Sequence, residues 1–521
     1  MRRAKWALVV VALAVVALSL AACGGTGSGT GTASTSKTLR FAFSTDPAPL
    51  DPDTFYESEG LIVMTAAYEG LLRYKPNSPQ LEGQLATSWK VSPDARTYTF
   101  TLRHGVRFSD GTPFNAAAAE ASFERRTALK GGPSYMLLHV AHMETPDPYT
   151  FVVHLNRPVA PFLDYLASPY GPLMSSPTAI AHHSVGGDHA SAWLAAHSAG
   201  TGAYVLSNVQ RGVRYTLTPN PYYSSSKPYF TTVGISIVPN FETQLLEVEG
   251  GTLDLVLHGL PTQAIEGLKG NNSVQVQQFP ALFQAEVWIN PKSPVFASPN
   301  VRAALRASLD NKQLTEQIWG SQTATPASNV YPEGMLPNGL APLSVNYQPS
   351  LLGPALAPYK GKKVVIGWGE QSTNENLANL LQVRLQALGL NASTQMFQQS
   401  TLFSLPEKPN LRPDLFAITF NPDAVAPDTY GRIYWYTKAP VNLLGCSVPN
   451  ADHLLDQAAE QTSPQTSQRL GAQAAIAYRE SNCWLIVADV HDTIVMRKGL
   501  TGFDHQLPWI YDIGLASLRG E

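Results

Sequence analysis

Only one stretch of this chain is long and apolar enough to enter a membrane, and it lies at the N-terminus. Residues 1–5 (MRRAK) are basic, and the seventeen residues from Trp6 to Ala22 are apolar apart from Ser19. Such a run is short for a membrane-spanning helix, whereas a basic start before an apolar run is the layout of a secretory signal. We therefore predict that residues 1–22 are a signal peptide and that the remaining chain folds in water after export.

The end of this apolar run carries a second signal. The sequence LAAC at 20–23 resembles the lipobox of bacterial lipoproteins, in which the cysteine becomes the acylated first residue of the mature chain. The resemblance implies a lipid on Cys23 and anchoring to the outer face of the cytoplasmic membrane; a plain signal peptide and an uncleaved anchor are the alternatives. Residues 23–37 are almost wholly Gly, Ser, Thr and Ala, which predicts a flexible tether.

The composition of the rest narrows the class of protein. About 485 residues follow the tether, enough for two or three domain-sized units. The chain has 36 Lys+Arg against 39 Asp+Glu, and removal of Arg2, Arg3 and Lys5 leaves 33 against 39, a net charge of −6. Nucleic acid is not an expected partner, because its binding needs a basic surface. Forty prolines and thirty-nine glycines predict an α/β body with many ordered loops.

Three short motifs stand in order between residues 68 and 126. They are EGL at 69–71, LATSW at 85–89 and VRFSDGTPF at 106–114. A turn at 93–95 between two alternating runs predicts a hairpin, and Asn115 is a good N-cap for a helix that starts at residue 116. This block resembles the family 5 extracellular solute-binding proteins, which serve dipeptide, oligopeptide and nickel ABC importers.

The resemblance extends over essentially everything after the tether. Further matching blocks are GTGAY at 200–204, where Ala203 replaces the usual proline, NPYY at 220–223, GTLD at 251–254, VRAAL at 301–305, PDLF at 413–416 and NADHLL at 450–455. The family fold that this implies is α/β, a two-lobe periplasmic-binding-protein-like clamshell with an accessory subdomain in lobe I.

The resemblance also implies the domain limits. Lobe I is expected at 38–285 plus 490–521, its accessory subdomain at about 75–200, and lobe II at 286–489. The residue pattern agrees with an α/β lobe II. A buried strand is predicted at 362–368, followed by a leucine-rich amphipathic helix at 376–388. Gly389 is suited to the C-cap of this helix. A strand after it completes a βαβ unit, with a crevice at the carboxyl ends of the strands.

The expected function is capture of a ligand between the lobes and its delivery to an ABC permease. A short peptide or peptide-like solute is the leading ligand; a nickel chelate, an oligosaccharide, or a regulatory role in envelope assembly are the alternatives. The sequence has no nucleophile elbow, P-loop, HExxH or dinucleotide motif, so we expect no enzyme activity and no cofactor. The protein is expected to be a monomer, with ATPase and permease on separate chains.

One aspartate is the leading ligand-binding candidate. A predicted strand at 416–420 runs into a loop that ends at Asp423. In peptide-binding relatives the matching segment ends in an aspartate that holds the ligand's amine, which implies this role for Asp423, with Asp428 as the fallback and a solvated loop aspartate as the alternative. Some oligopeptide binders have an arginine in this strand for the ligand carboxylate, and Ala417 stands there in this chain.

Other candidates surround the same predicted cleft. The loop between the first strand and the EGL motif lines the cleft in relatives, with a surface loop as the alternative. Trp368 ends its strand at the crevice and is expected to stack on a ligand, whereas Trp435 either does the same or fills the core. The remaining candidate ligand-binding residues are Tyr56, Glu57, Ser58, His258, Trp368, Phe420, Asn421 and Trp435. For His258, a hydrogen-bonded structural histidine is the alternative.

The remaining cysteines and a histidine-rich stretch complete the predictions. Cys446 and Cys483 form an even pair in an exported chain, which predicts a disulfide; two buried free thiols are the alternative. His182, His183 and His189 fit no standard zinc spacing and lie in a loop-like context, so no metal site is predicted there.

Overall fold

The structure is a computed structural model that describes residues 37–335, 340, 342–343, 346–369 and 371–520, apart from the side chains of 399 and 400. The predicted signal peptide, most of the tether and Cys23 lie outside the described residues. Within the described ranges, no helix combines the length and the apolar character needed to cross a bilayer.

Helices and strands are mixed along the described chain. The strands are β1 (Thr38–Phe43), β2 (Leu72–Tyr74), β3 (Leu81–Gly83), β4 (Ala86–Val91), β5 (Thr97–Leu102), β6 (Val140–Asp147), β7 (Thr150–Leu155), β8 (Tyr204–Gln210), β9 (Arg214–Pro219), β10 (Thr232–Ile237), β11 (Leu255–Val256), β12 (Val274–Ile289), β13 (Ala324–Pro326), β14 (Lys363–Trp368), β15 (Asn391–Met396), β16 (Leu415–Phe420), β17 (Trp484–Arg497), β18 (Leu500–Thr501) and β19 (Arg519–Gly520). The helices are α1 (Leu61–Ala67), α2 (Ala116–Leu129), α3 (Phe162–Ala167), α4 (Pro177–His183), α5 (Ser191–Leu194), α6 (Phe241–Glu249), α7 (Thr262–Gly267), α8 (Pro299–Ala307), α9 (Asn311–Ile318), α10 (Leu352–Leu356), α11 (Ser372–Ala387), α12 (Gln399–Leu402), α13 (Pro427–Tyr430), α14 (Pro449–Ala459) and α15 (Pro464–Glu480).

A large mixed sheet runs through both lobes in the order β15-β14-β16-β12-β17-β11-β1-β10-β9-β8, with β13 paired beside β17. The β14–β15, β14–β16, β1–β11 and β1–β10 pairs are parallel, whereas β12 and β17 are antiparallel to each other and to their outer neighbours β16 and β11. The two-lobe α/β fold class predicted from the sequence is confirmed.

The two long strands β12 and β17 connect the lobes. They pair from Val274 opposite Arg497 to Trp288 opposite Trp484, and the register shifts between Phe279 and Phe283. One half of this ladder borders lobe I strands and the other half borders lobe II strands. The register shifts again between Ala285 and Glu286. A bulge bends the strand that carries it; the exact lobe limits stay a prediction.

Local sequence signals explain several elements that support the site. Asn115 accepts a hydrogen bond from the backbone N–H of Ala118 at 3.0 Å, which confirms it as the N-cap of α2. Helix α11 buries Leu377, Leu381 and Leu385 against β14, and Gly389 at φ +89° lies in its C-terminal turn. The helix begins at Ser372, four residues before the prediction, because its first turn lacks the leucine pattern on which the prediction relied.

A separate four-stranded sheet, ordered β4-β5-β7-β6, lies within the range predicted for the accessory subdomain. Phe100, Phe151 and Val153 are fully buried on one of its faces. Residues of alternate parity, including Thr97 and His154, turn to the opposite face. The β4–β5 hairpin predicted from the turn at 93–95 is confirmed.

A buried ion-pair network fixes the loop that follows β1. Arg125 of α2 lies 2.7 Å from Asp51 and 2.5 Å from Asp53, and Arg126 lies 3.0 Å from Asp53. All four side chains are at most 3 % exposed. Such a network is costly to break because removal of one member leaves a partner charge uncompensated away from water. The network therefore holds in place the loop that leads to Tyr56.

Candidate ligand-binding site

Asp423 lies at a junction between the lobes. It follows β16 of lobe II, and its carboxylate accepts hydrogen bonds from two tyrosines of lobe I, from the Tyr56 hydroxyl at 2.6 Å and from the Tyr135 hydroxyl at 2.5 Å. The residue is 4 % exposed, and burial raises the pKa of its carboxyl. Among the described residues, no lysine, arginine or histidine pairs with Asp423. The carboxyl group is thus buried with neutral donors only.

The fallback residue Asp428 has a different environment. Its carboxylate lies 2.9 Å from the guanidinium of Arg432, one helical turn further on, and Arg432 also contacts Asp456 at 2.9 Å. Asp428 therefore already has a cationic partner within the protein. The structure distinguishes the two aspartates by their partners. The sequence alone left open which of the two has a cationic partner.

Further contacts join the lobes around Asp423. The Ser168 hydroxyl donates to the backbone carbonyl of Asp423 at 2.5 Å, and the backbone N–H of Val425 donates to the Tyr74 hydroxyl at 3.1 Å. Tyr74 in turn donates to Asp164 at 2.7 Å. These contacts hold the loop after β16 against lobe I.

An aromatic wall follows the same loop. Phe420 stacks on Tyr434 with ring centroids 4.5 Å apart, and Trp288 of β12 lies 5.0 Å from Phe420. The Tyr434 hydroxyl donates to the backbone carbonyl of Asn421, and the Asn421 side chain donates to the carbonyl of Pro422 at 3.3 Å. The predicted residues Phe420 and Asn421 thus adjoin Asp423, with an aromatic surface beside a carboxylate.

The lobe I loop places its three predicted residues differently. Tyr56 is 43 % exposed, yet its hydroxyl turns inward to Asp423, and its ring meets Tyr170 edge-on at 5.1 Å. The Glu57 carboxylate accepts from the backbone N–H of Ala48 at 2.9 Å, a contact that closes the loop on itself. The backbone carbonyl of Ser58 accepts a hydrogen bond from the backbone N–H of Leu61 at the start of α1. Only Tyr56 of the three contacts Asp423.

His258 and Trp368 lie elsewhere along the lobe junction. The Nε2 atom of His258 is 3.1 Å from the carboxylate of Glu59, and its ring stacks on Tyr511 at 4.0 Å. This matches the alternative of a hydrogen-bonded structural histidine. The Tyr511 hydroxyl accepts from Gln371 of lobe II at 3.0 Å. Trp368 ends β14 and is partly buried against the lobe II core.

Trp435 lies in the core of lobe II. It is 1 % exposed and packs against Tyr331, Tyr430 and Trp484, with ring centroids 5.0 to 6.2 Å apart. Its position matches the core-filling alternative, because a ligand in the cleft does not reach a side chain enclosed on all sides. The predicted disulfide is present beside this cluster and joins Cys446 to Cys483, whose Cα atoms are 6.4 Å apart.

A cavity of about 290 Å³ lies wholly on the lobe I side. Glu69, Arg73, Ser168 and Gln506 are among its lining residues, and none of the predicted ligand-binding residues lines it. Because side chains of lobe I contact Asp423 directly, cavity volume does not mark the junction around this residue. The buried carboxylate at the junction is the better guide.

Comparison with known proteins places the chain in a family. Residues 80–441 match the profile described as "Bacterial extracellular solute-binding proteins, family 5 Middle". The chain belongs to family 5 of the bacterial extracellular solute-binding proteins. Members of this family are extracellular solute-binding proteins, and this member has an exported, substrate-binding role.

Two relatives of this family 5 protein carry substrate names. It is 27 % identical over 474 residues to the probable D,D-dipeptide-binding periplasmic protein DdpA of Escherichia coli K12, covering 88 % of this chain and 90 % of that protein. It is 28 % identical over 314 residues to the glutathione-binding protein GsiB of Salmonella typhimurium, covering 59 % of this chain and 57 % of GsiB.

Two solved structures share the fold of this family 5 protein. The periplasmic binding protein DppA of Helicobacter pylori in complex with the peptide STSA has a TM-score of 0.79 at 21 % identity, covering 93 % of this chain and 98 % of that one. NikA of Brucella suis in complex with Fe(III)-EDTA has a TM-score of 0.81 at 19 % identity, covering 93 % and 100 %. At these identities the likeness concerns the fold alone.

The sequence did not point to three residues that contact Asp423 or its loop in this family 5 protein. Tyr135, Ser168 and Tyr74 come from lobe I segments far away in sequence, and no motif around them signals a role. Their proximity to the loop after β16 depends on how the lobes pack together.

Proposed function

We propose that this solute-binding protein captures a short peptide or peptide-like solute between its lobes and holds the ligand's amino end on Asp423. The observation that carries the proposal is the carboxyl of Asp423, which is buried at the lobe junction with two tyrosine hydroxyls and, among the residues that the structure describes, no cation. A ligand ammonium would supply the missing positive partner. Charge-assisted hydrogen bonds of this kind are stronger than neutral ones.

The electrostatics of the junction favour a cationic group over a neutral one. Burial raises the pKa of Asp423, because the charged form loses its hydration. An ammonium in contact with the carboxylate would reverse that effect, since an opposite charge at close range stabilises the ionised form. The hydroxyls of Tyr56 and Tyr135 would keep donating to the Asp423 oxygen that they contact here, or would move aside when the ligand enters.

The neighbouring residues suit a peptide of limited length. Ala417 is buried in β16 and gives no positive charge for a ligand carboxylate. The aromatic wall of Phe420 and Tyr434 offers an apolar surface beside the carboxylate. Recognition at the amino end with apolar contacts beyond it fits short peptides, and the substrate names of DdpA and GsiB support the same class.

The experiment replaces Asp423 by asparagine, which keeps the shape and removes the charge. Calorimetry would compare the dipeptides Ala-Ala and D-Ala-D-Ala and the tripeptide glutathione with N-acetylated counterparts. Loss of one partner from a buried charge pair costs about 2 to 5 kcal/mol. Asp423→Asn should therefore weaken binding of the free-amine forms by about thirtyfold or more, and that of the acetylated forms far less.

Asp428→Asn is the matched control, because that aspartate lies in the next turn and is already paired with Arg432. Its affinity for free-amine peptides should stay within a few-fold of the parent. Equal affinities of parent and Asp423→Asn for both forms of each peptide would show that Asp423 does not hold the amine.

Closure is the second part of the proposal. We place the hinge where β12 and β17 change register, near residues 285 and 490, and lobe motion around such crossing strands is a common closure mechanism. Small-angle scattering should show a smaller radius of gyration when a bound peptide is present than when it has been removed. An unchanged radius at saturating peptide would contradict hinge closure.

Anchoring by a lipid on Cys23 is the third part, and its support is the sequence LAAC followed by the Gly/Thr-rich segment. Two membrane-binding signals are usually needed for stable anchoring, and a diacylated N-terminal cysteine provides two chains. Cys23→Ser should move the protein from the membrane fraction to the soluble fraction without unfolding it. Retention of the variant in membranes would contradict lipidation.

A further inference from the structure

We propose that His142, Glu144 and His154 form a binding site for one divalent transition-metal cation, of which Zn²⁺ is the preferred example. The three side chains lie on the β6–β7 hairpin of the accessory sheet, and their ligand atoms are all within 4.8 Å of one another. The site is separate from the lobe junction. The metal proposal can therefore be tested independently of the peptide proposal.

The hairpin register brings these residues together. His142 of β6 lies directly opposite His154 of β7, and Glu144 is two residues beyond His142 on the same strand. Side chains at i and i+2 of a strand share a face, and directly opposite residues of an antiparallel pair lie next to each other. Met143, between the two ligands, turns to the other face and packs against the core. All three donors thus project from the sheet's outer face.

The distances between the donor atoms suit a metal. The Glu144 carboxylate oxygen is 3.6 Å from Nε2 of His142 and 3.1 Å from Nε2 of His154. Tetrahedral zinc with bonds of about 2.0 to 2.1 Å separates neighbouring ligand atoms by about 3.3 Å. The two imidazole rings stack at 4.2 Å with an angle of 10° between their planes. The donor atoms are therefore close enough together for one cation, and because the rings are nearly parallel and a bound metal lies in the plane of its imidazole, one ring must rotate when the cation binds.

One histidine is already oriented for this role. Its neighbour on β5 is Thr97, whose Oγ1 lies 3.2 Å from Nδ1 of His154. A metal-binding imidazole typically donates its other ring N–H to an oxygen, which fixes the ring and the free nitrogen. Nε2 of His154 is sequestered from solvent and has no hydrogen-bond partner among the described residues. Nε2 therefore lies 3.1 Å from the Glu144 carboxylate without a hydrogen bond to it and is available to a cation.

The donor set selects the class of cation. Two imidazoles and one carboxylate favour Zn²⁺, Ni²⁺ or Cu²⁺ over Mg²⁺ and Ca²⁺, which take oxygen ligands. Three protein ligands leave a fourth position for water or an external donor. Since β6 is the edge strand of its sheet, the cation would also tie this edge to β7.

A second group of histidines provides the matched control. His182 and His183 adjoin each other at 4.6 Å between ring centroids, and His183 stacks on Trp193. Within the part of the chain that the structure describes, no carboxylate completes a three-ligand cluster there. A histidine from this group tests whether any exposed imidazole binds the metal.

The experiment is calorimetric titration of Zn²⁺ into the full-length protein after treatment with a chelator. The parent should bind one zinc per chain in the micromolar range or tighter. His142→Ala, His154→Ala and Glu144→Gln should each weaken this binding at least tenfold, and His182→Ala should not change it. Thr97→Val should weaken it by about 10- to 100-fold, the usual effect of removing a partner of a metal-bound histidine.

Circular dichroism of each variant keeps the result interpretable, because His142 and Glu144 are more than half exposed and their replacement should leave the fold intact. Zinc should also raise the melting temperature of the parent and not that of His142→Ala. One-to-one binding that survives all three ligand substitutions would overturn the proposal. So would binding that does not saturate at millimolar zinc, or a loss of equal size in His182→Ala.

Discussion

The carboxyl group of Glu286, a residue of β12, is enclosed in the core between the hinge and lobe II. It is 0 % exposed, and it accepts hydrogen bonds from the Tyr430 hydroxyl at 2.8 Å and from the indole N–H of Trp288 at 2.7 Å. Among the described residues it has no cationic partner. Burial raises its pKa from 4.5 to about 7, because the hydrogen bonds only partly replace the lost hydration of the charged form.

The sign of the resulting pH dependence follows from proton binding. Between about pH 4.5 and 7 the folded protein holds a proton on Glu286 that the unfolded chain has released, so the folded state binds more protons. The free energy of unfolding therefore falls as the pH rises through this window. At about 1.4 kcal/mol for each pH unit between the two pKa values, Glu286 accounts for about 3 kcal/mol in total. About 2 kcal/mol of this lies between pH 5.5 and 8.

Glu286→Gln removes this dependence and keeps the shape. The amide oxygen can accept from Trp288, and the amide N–H can donate to the Tyr430 hydroxyl, which reverses its role. The free energy of unfolding would be measured by urea denaturation, followed by far-ultraviolet circular dichroism, between pH 5.5 and 8. The variant should lose about 2 kcal/mol less stability than the parent over this range.

The matched control is Glu316→Gln, at an exposed position of α9. Its stability should follow the parent at each pH. Other buried acids, such as Asp489, whose pKa burial raises to about 7, are present in parent and variants alike and cancel in the difference. Equal pH slopes for the parent and Glu286→Gln would refute the assignment of this titration to Glu286.

Two further predictions concern stability. Asp53→Asn leaves the buried guanidinium of Arg126 without its anion, so chemical denaturation should show that the free energy of unfolding falls by about 3 to 5 kcal/mol. Asp456→Asn breaks a half-exposed pair and should lower it by less than about 1 kcal/mol. Similar losses in both variants would contradict the burial argument. Replacing both Cys446 and Cys483 by serine opens a loop with a sequence separation of 37 and should lower stability by about 3 to 4 kcal/mol in the same assay. An unchanged denaturation midpoint would contradict that estimate.

Local signals in the sequence were enough for many elements and for the family. The EGL, LATSW and VRFSDGTPF blocks, the cap at Asn115 and the leucine pattern of α11 each act over a few residues, so their physics is visible without the fold. The pairing of Cys446 with Cys483 could be predicted because, once Cys23 is assigned to lipid, no other partner exists.

The site itself depended on contacts that no local pattern specifies. Tyr135 and Tyr56 reach Asp423 across 288 and 367 residues of sequence, so their hydrogen bonds depend on how the lobes pack. The same holds for Trp435, an aromatic side chain that a pattern can place in a cleft or a core with equal ease.

The metal-binding candidates show the same limit at shorter range. His142 and His154 are only twelve residues apart, but they become neighbours only when β6 and β7 pair in one register. A shift of one residue would turn His142 to the opposite face of the sheet. The sequence therefore determined which elements form, because helices, caps and turns depend on neighbouring residues. The tertiary structure decided which charges are paired and which donors converge, because burial and register are properties of the assembled chain.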